Sequence, residues 1–489
     1  FSPFDRASNV CGMAGTDDVR FQNLRVSTNS ELLSLVHFMV RNEVLDVISI
    51  SDDECDYIEP SSPPVHTLPD TSNINESHMR LLTQQNRKFP KLPENEYPVL
   101  PVLLKYREMS INGCHGFSSC DKFRVNSLFL PNAGKRMAQY KQKVFCGTYS
   151  KTGDHFLSAS QDAKIRVFDT SNGQFRLLKQ ICARDVGWSI LDTAFCPNEK
   201  HVAYSSWSES IHLCRIDGTK NQEHVALHVN PNDRRFCIFS LVFSHDGHEI
   251  LGGSNDGCLY VYDINCHCLC LKIKCHTVDA NAVCFADETS QILFSGGDDG
   301  LCKVWDRRTL SEQDPKPVGI FAGHKNGITF IDSRGDGRHL ITNSKDQSIK
   351  LWDMRRFSSK EAQIKAGHFV ATQHWDYRWQ KVPKSARLFA DPVPGDTSIL
   401  TYRGHQVLQT LIRARFSPLI STGQRYIYTG CSSGKLIIYD LITGKILQRM
   451  DGHVDCVRDA HWHPFNNEIV TSAWDGCIMK WTYGGEFDG

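Results

Sequence analysis

The stretch ILFSGGDDGLCKVWDRR, residues 292–308, decides the fold. It reads as an apolar run ending in small residues, a turn built on Asp298, Asp299 and Gly300, and an alternating run closed by Trp305 and Asp306. Two alternating runs joined by an Asp-Gly turn describe a pair of antiparallel strands. Working outward, the same text returns on both sides. Upstream stand FLSASQDAKIRVFD (156–169), YSSWSESIHLCR (204–215) and ILGGSNDGCLYVYD (250–263). Downstream stand LITNSKDQSIKLWD (340–353), YTGCSSGKLIIYD (428–440) and IVTSAWDGCIMKWT (469–482). The turn anchors are Asp162, Ser208, Asp256, Asp299, Asp346, Ser433 and Asp475, spaced by 46, 48, 43, 47, 87 and 42 residues. A unit this short cannot bury its own apolar face, so the copies must stack on one another.

A period near 40–45 residues with strand alternation resembles the four-stranded blades of the WD40 family. A His precedes four of the repeats: His276, His324, His405 and His453. These positions resemble the WD40 tetrad, which implies a hydrogen-bonded chain of His, Ser/Thr, turn Asp and strand Trp in each blade. The sets are His276, Ser295, Asp299 and Trp305; His324, Thr342, Asp346 and Trp352; and His453, Thr471, Asp475 and Trp481. A His-Asp-Ser/Thr grouping also resembles a catalytic triad. Repetition argues for structure, because catalysis needs one such set and stapling blades needs many. Tyr204, Ser208, Gly252 and Ser433 depart from the pattern, so those blades should rely more on packing.

The 87-residue spacing equals two periods, yet residues 357–397 show no alternation and no Asp turn before an aromatic-Asp strand. They read as an insertion between the third and fourth strands of the fifth blade. The expected fold is all-β: a seven-bladed WD40 propeller over 121–489 with a partly helical, partly disordered N-terminal extension. After Trp481 eight residues remain, too few for a well-formed fourth strand. An open ring would leave a bare strand edge. DKFRVNSLFLP (121–131) has the alternating apolar content to supply it, so residues near 122–130 are expected to close the ring.

Before the propeller, residues 1–50 contain an amphipathic helix after Ser30, with apolar residues at 32, 33, 36, 39, 40, 44, 47 and 48. Residues 51–98 read as an acidic, Pro-rich linker, expected to be disordered over 51–71. Residues 99–120 hold LPVLLKYREMS, a short segment with Leu100, Leu103, Leu104 and Tyr106 or Arg107 at helical spacing. Pro101 suits a helix start.

Composition excludes several classes. The 489 residues carry 55 Lys+Arg and 55 Asp+Glu, so no basic surplus drives binding to bulk nucleic acid or anionic membrane. No apolar run approaches the length of a membrane span. The 19 cysteines follow no framework spacing, and most sit in strand-like runs where a thiol acts as a small hydrophobe. That points to a reducing, intracellular compartment, with nucleus and cytoplasm expected. Cys266, Cys268 and Cys270 suggest zinc at first sight, but spacing of two along a strand is not the paired knuckle of zinc sites. A redox-sensing thiol there has only Lys272 and Lys274 nearby to activate it. No Walker, Rossmann or zincin motif occurs, and no cofactor is expected.

Two consecutive repeats end in W-D-x-R: Trp305, Asp306 and Arg308, then Trp352, Asp353 and Arg355. This doubled motif resembles the WD40 substrate receptors of cullin-4 RING ubiquitin ligases. Residues 183–189, 291–308, 327–359 and 375–383 are similar in particular to the cullin-4-associated factor 11 branch of that family. The resemblance implies a non-catalytic subunit that docks on the adaptor, damage-specific DNA-binding protein 1. The W-D-x-R residues and an upstream helix carrying Leu103, Leu104 and Arg107 would make the contact. It further implies a protein substrate, a cap'n'collar stress-response transcription factor being one candidate, with no direct nucleic-acid or membrane partner. Candidate substrate contacts on the opposite face are Arg184, Trp188, Arg234, Arg235, Arg413 and Arg458, Arg and Trp being common at binding hot spots. Several Arg on one rim would favour an acidic segment. Other readings are a generic WD40 scaffold in signalling or chromatin, whose paired motif is coincidental, and an enzyme.

Overall fold

The computed structural model describes residues 69–77, 79, 104–105, 108, 119–216, 224–230, 235–373, 375–382 and 392–484. Within them lie seven four-stranded antiparallel sheets. Six consist of consecutive strands, over 144–182, 192–228, 238–274, 280–322, 328–403 and 414–451. The innermost strands of successive sheets touch in a closed cycle, the seventh returning to the first. This is a seven-bladed propeller, as the repeat spacing predicts. The core lies between neighbouring blades: Trp305 packs with Leu251, Val261 and Val283, and Trp352 with Phe294, Val304 and Phe321.

The seventh blade takes three strands from 457–482 and its outermost from Ala133–Gln139, which runs antiparallel to Cys477–Thr482. An upstream strand does close the ring, but not the one expected near 122–130. Ser119–Asn126 is a helix. Its Phe123 packs beneath Gly423, and Leu130 beyond it enters the cluster of Tyr426, Trp462 and Trp481. The closing strand escapes notice because it is an outer strand: its residues are mostly exposed, so no apolar alternation is required. Gly134 lies opposite Trp481, and a Cβ there would meet the indole at 2.8 Å.

Residues 357–397 fall between Ser348–Asp353 and Leu400–Arg403, the third and fourth strands of the fifth blade, as expected of an insertion. They contain a helix, Lys360–Ala371, capped by the Ser359 side chain, which accepts from the Ala362 backbone N–H. Buried Ala362 and Ala366 let this helix lie close against the outer strand Gly319–Ala322 of the fourth blade.

Residues 1–68 lie outside the described residues, and with them the stretch after Ser30 where a helix was expected. The linker over 51–98 is partly packed: Ser72–Glu76 is a short helix, and Ile74 and Met79 are buried against Ile341, Ile427 and Leu441 of the fifth and sixth blades. No helix among the described residues is long and apolar enough to cross a membrane.

Candidate functional site

Strand direction alternates within a blade, so the turns leave on two faces. Turns between first and second, and third and fourth, strands share one face; second-to-third turns and inter-blade links share the other. The W-D-x-R sequences run into third-to-fourth turns, so they mark an arginine face. The tetrad His and Asp mark the opposite, histidine face.

On the histidine face all three expected tetrads are assembled. His324 Nδ1 lies 3.0 Å from Asp346 and Nε2 2.6 Å from Thr342 Oγ1, which also accepts from Trp352 Nε1 at 2.8 Å. His453, Thr471, Asp475 and Trp481 repeat this with spans of 3.0, 2.7 and 2.8 Å. His276, Ser295, Asp299 and Trp305 repeat it again. Burial alone would raise Asp346, but the His324 charge and hydrogen bond hold its carboxyl well below the usual range. Gly300 follows the Asp299 turn with φ +73°, a left-handed position suited to glycine. Blades without the tetrad improvise. In the second blade Tyr204 Oη bonds His224 Nε2 at 2.8 Å while its ring stacks on His212. In the sixth, His405 reaches Tyr439 at 3.1 Å and Asn343 of the fifth blade at 2.9 Å.

The two W-D-x-R motifs are not equivalent on the arginine face. Arg308 folds back on its own Asp306, Nε at 2.9 Å and Nη2 at 2.7 Å, while its side chain stays 66% exposed. Asp353 is instead held by Arg338, Nε at 3.0 Å and Nη2 at 2.7 Å. Arg355 makes a backbone bond to Asp353; its guanidinium is exposed and has no hydrogen bond or ion pair among the described residues. Trp305 and Trp352 were expected among the docking residues, and this is corrected: both are fully buried, their indoles bonded inside the tetrads. Asp353 is likewise buried and engaged, leaving Arg308 and Arg355 as the accessible members.

The segment upstream of the propeller is pinned to this same face. Pro69 packs at Gly444, in the third-to-fourth turn of the sixth blade. Arg334, in a first-to-second turn, donates to Met79 Sδ at 2.9 Å. Asn126 Nδ2 reaches the Ser421 carbonyl at 2.6 Å in the first-to-second turn of the sixth blade. Pro69, Met79 and Asn126 of the upstream segment thus all meet the arginine face. Of the expected docking segment, Leu104 is helical and half-buried; Leu103 and Arg107 lie outside the described residues.

On the histidine face Arg184, Trp188 and Arg235 are exposed, and Trp188 stands edge-on to Phe145 at 5.3 Å. Arg234 lies outside the described residues. Arg413 and Arg458 are corrected: they sit where inner strands begin and are buried in the ring centre. Arg413 pairs with Asp192 at 2.6 Å and Asp459 at 3.2 Å. Arg458 donates to the carbonyls of Phe145 and Leu191 and to Thr410 Oγ1. Burial would raise Asp459, but Arg415 and Arg413 bring it down to about 2. These charges join blades across the centre and are closed to a ligand.

Sequence reasoning missed the course of the insertion. Its helix crosses the outer edge of the fourth blade, Phe357 packing at Gly319 and Val370 at Gly300. It thus runs from the arginine face to the histidine face. There Lys345 stands 4.4 Å over the Tyr377 ring, Tyr377 accepts from the Gln409 backbone, and Trp379 is 73% exposed. The tryptophans of WDYRW were the available signal. Cys266, Cys268 and Cys270 are exposed at the outer edge of the third blade. Burial and the neighbouring Cys268 push the Cys270 thiol up, against a thiolate. The one close His/Cys/Asp/Glu grouping among the described residues is His453, Asp475 and Cys477, two of which are already bonded in a tetrad.

The family described as WD domain, G-beta repeat matches residues 134–169, 226–263, 268–306, 315–353 and 444–482. The bulk of the second and sixth blades falls between the matches. The chain is 42% identical over 371 residues to the DDB1- and CUL4-associated factor 11 homolog of Caenorhabditis elegans, covering 74% of this chain and 64% of that one. It is 39% identical over 451 residues to the LEC14B protein of Lithospermum erythrorhizon, covering 89% and 93%. It is 37% identical over 385 residues to the DDB1- and CUL4-associated factor 11 homolog of Caenorhabditis briggsae, covering 76% and 69%.

Proposed function

The chain belongs to the WD40-repeat family, in the group of the DDB1- and CUL4-associated factor 11 homologs and LEC14B proteins, and from that membership we propose that it is a substrate receptor of a cullin-4 RING ubiquitin ligase. In this reading the arginine face docks on the adaptor, damage-specific DNA-binding protein 1, and the histidine face holds the protein to be ubiquitinated and degraded. The observation that carries it is Arg355: an exposed guanidinium without a partner among the described residues, on the face to which Met79 and Asn126 of the upstream segment are pinned. Such a forked donor suits carboxylates and carbonyls of a partner. Trp188, Arg184 and Arg235 remain the substrate candidates on the other face, and a cap'n'collar stress-response factor is the substrate we put forward. The receptor acts in nucleus and cytoplasm and is not itself catalytic, its three His-Asp-Ser/Thr sets each being bonded to a blade Trp.

Purified protein and purified adaptor should form a stable complex that Arg308→Ala with Arg355→Ala abolishes while the propeller stays folded. If the double variant binds as the parent does, the receptor reading gives way to a scaffold with a coincidental motif.

A further inference from the structure

Arg308 and Arg355 supply charge on the arginine face, but two cations are not an interface. Specific protein contacts bury an apolar centre inside a polar rim, on the order of 800 Å² per partner. The described residues provide such a centre on the same face, in the sixth and seventh blades. Leu419 and Ile420, on the short helix Leu419–Thr422 in the first-to-second turn of the sixth blade, are each 59% exposed. That helix packs against Ser119–Asn126, whose end leads to exposed Leu128 and Phe129. Phe129 stacks edge-on against exposed Tyr483 at 5.1 Å. Its carbonyl accepts from Asn467, two residues beyond exposed Phe465. Hydrogen bonds and ring contacts thus join six large apolar side chains from the chain's re-entry, the sixth blade and the seventh into one surface. All lie at turns of the arginine face or at the strand ends that meet them.

Monomeric surfaces rarely keep so many large apolar groups together without use. This surface shares the arginine face with Arg355, adjoins the helix Ser119–Asn126, and includes half-exposed Arg425 in the same first-to-second turn of the sixth blade as Leu419 and Ile420. Its complement is an apolar patch edged with carboxylates.

We propose that the surface of Leu128, Phe129, Leu419, Ile420, Phe465 and Tyr483 is the apolar core of the adaptor interface, with Arg308 and Arg355 as its charged contacts elsewhere on the same face. This rests on the receptor reading and extends the contact from the fourth and fifth blades to the sixth and seventh. These side chains are solvent-facing, so charging them leaves the blade cores intact.

The test is titration of purified adaptor against four forms: the parent, Arg308→Ala with Arg355→Ala, Leu419→Asp with Ile420→Asp, and Phe465→Ser, each checked for an unchanged melting transition and for sedimentation. The Leu419/Ile420 variant should lose at least tenfold in affinity and Phe465→Ser a smaller, measurable factor. Unchanged affinity in both overturns the inference. If the Arg308/Arg355 double variant loses binding in that same experiment, the receptor reading survives the loss. A parent that sediments as a dimer, becoming monomeric in the Leu419/Ile420 variant with adaptor affinity intact, also overturns it by making a second copy the occupant.

Discussion

Arg338 holds the carboxylate of Asp353 through two hydrogen bonds, 3.0 and 2.7 Å long. In the preceding blade the equivalent acid, Asp306, is held by the arginine of its own motif. One substitution of partner separates two identical motifs. Arg308 is ordered but occupied, and Arg355 is unoccupied.

Arg355→Ala should therefore weaken adaptor binding more than Arg308→Ala. A hot-spot arginine is worth about 2 kcal/mol, roughly thirtyfold in affinity. Arg308 must first give up Asp306, an exposed pair of little intrinsic strength, and only the difference is read out. Calorimetric titration of the two single variants decides this. Equal losses would mean that the pairing seen here does not persist in the complex.

Arg338→Ala tests the same arrangement without touching either motif. It frees Asp353 to capture Arg355, as Asp306 captures Arg308, and adaptor affinity should fall although both motif arginines are present. Replacing Asp353 with Asn in that background should restore part of the affinity. A simple stability defect would not be rescued in this way.

Arg413→Met should cost on the order of 3–5 kcal/mol of stability, because it strands Asp192 without its cation in the ring centre and leaves Asp459 to Arg415. Denaturant unfolding gives the value. A change below about 1 kcal/mol would refute a structural role and return Arg413 to the list of ligand contacts.

Thr342→Val removes the oxygen shared by His324 and Trp352 while keeping side-chain volume. The buried Trp352 Nε1–H loses its acceptor and His324 Nε2 its hydroxyl partner, at about 1–3 kcal/mol for each group left unsatisfied. Unfolding should shift by that amount, with exchange of fifth-blade amides rising first. Exchange that rises uniformly over all blades would contradict a tetrad acting within one blade.

Stability should fall as the solution is acidified below pH 6.5. Burial pushes His405 and His224 down to about 4 and His461 to about 3. A depressed folded pKa gives stability that is present above the unfolded value and lost as pH falls toward the folded one. For His405 alone the loss by pH 4 is about 3 kcal/mol. Asp332 and Asp279 are raised to about 6, mainly by burial, and act with the opposite sign: their contribution is present below about 4 and lost as pH rises through 6. The histidines outweigh them, so the denaturant midpoint should be lower at pH 5 than at pH 7. A midpoint that rises on acidification would contradict this balance.

Blade number, tetrads and insertion were legible in the sequence because each leaves a local pattern. Two-residue alternation around Asp299 or Asp346 follows from one buried and one less buried strand face. Residues 357–397, which break that pattern inside an 87-residue spacing, could only be an excursion. The closing strand was not legible: Ala133–Gln139 is an outer strand with little burial, while the apolar residues near 123–130 serve a helix and the turn after it.

What the sequence by itself determined, then, is the repeating unit and the residues that staple it, since those forces act between positions fewer than 30 residues apart, such as His324, Thr342, Asp346 and Trp352. What only the tertiary structure decided is which charges are available. Arg413 and Arg458 look like rim residues in the text and lie in the ring centre; Arg308 and Arg355 look alike and differ. An arginine's role is set by whether a carboxylate or carbonyl lies within about 3 Å, since charge-assisted hydrogen bonds act only at that range. Asp192 and Arg413 meet across 221 residues of chain, and only the closed ring brings them together.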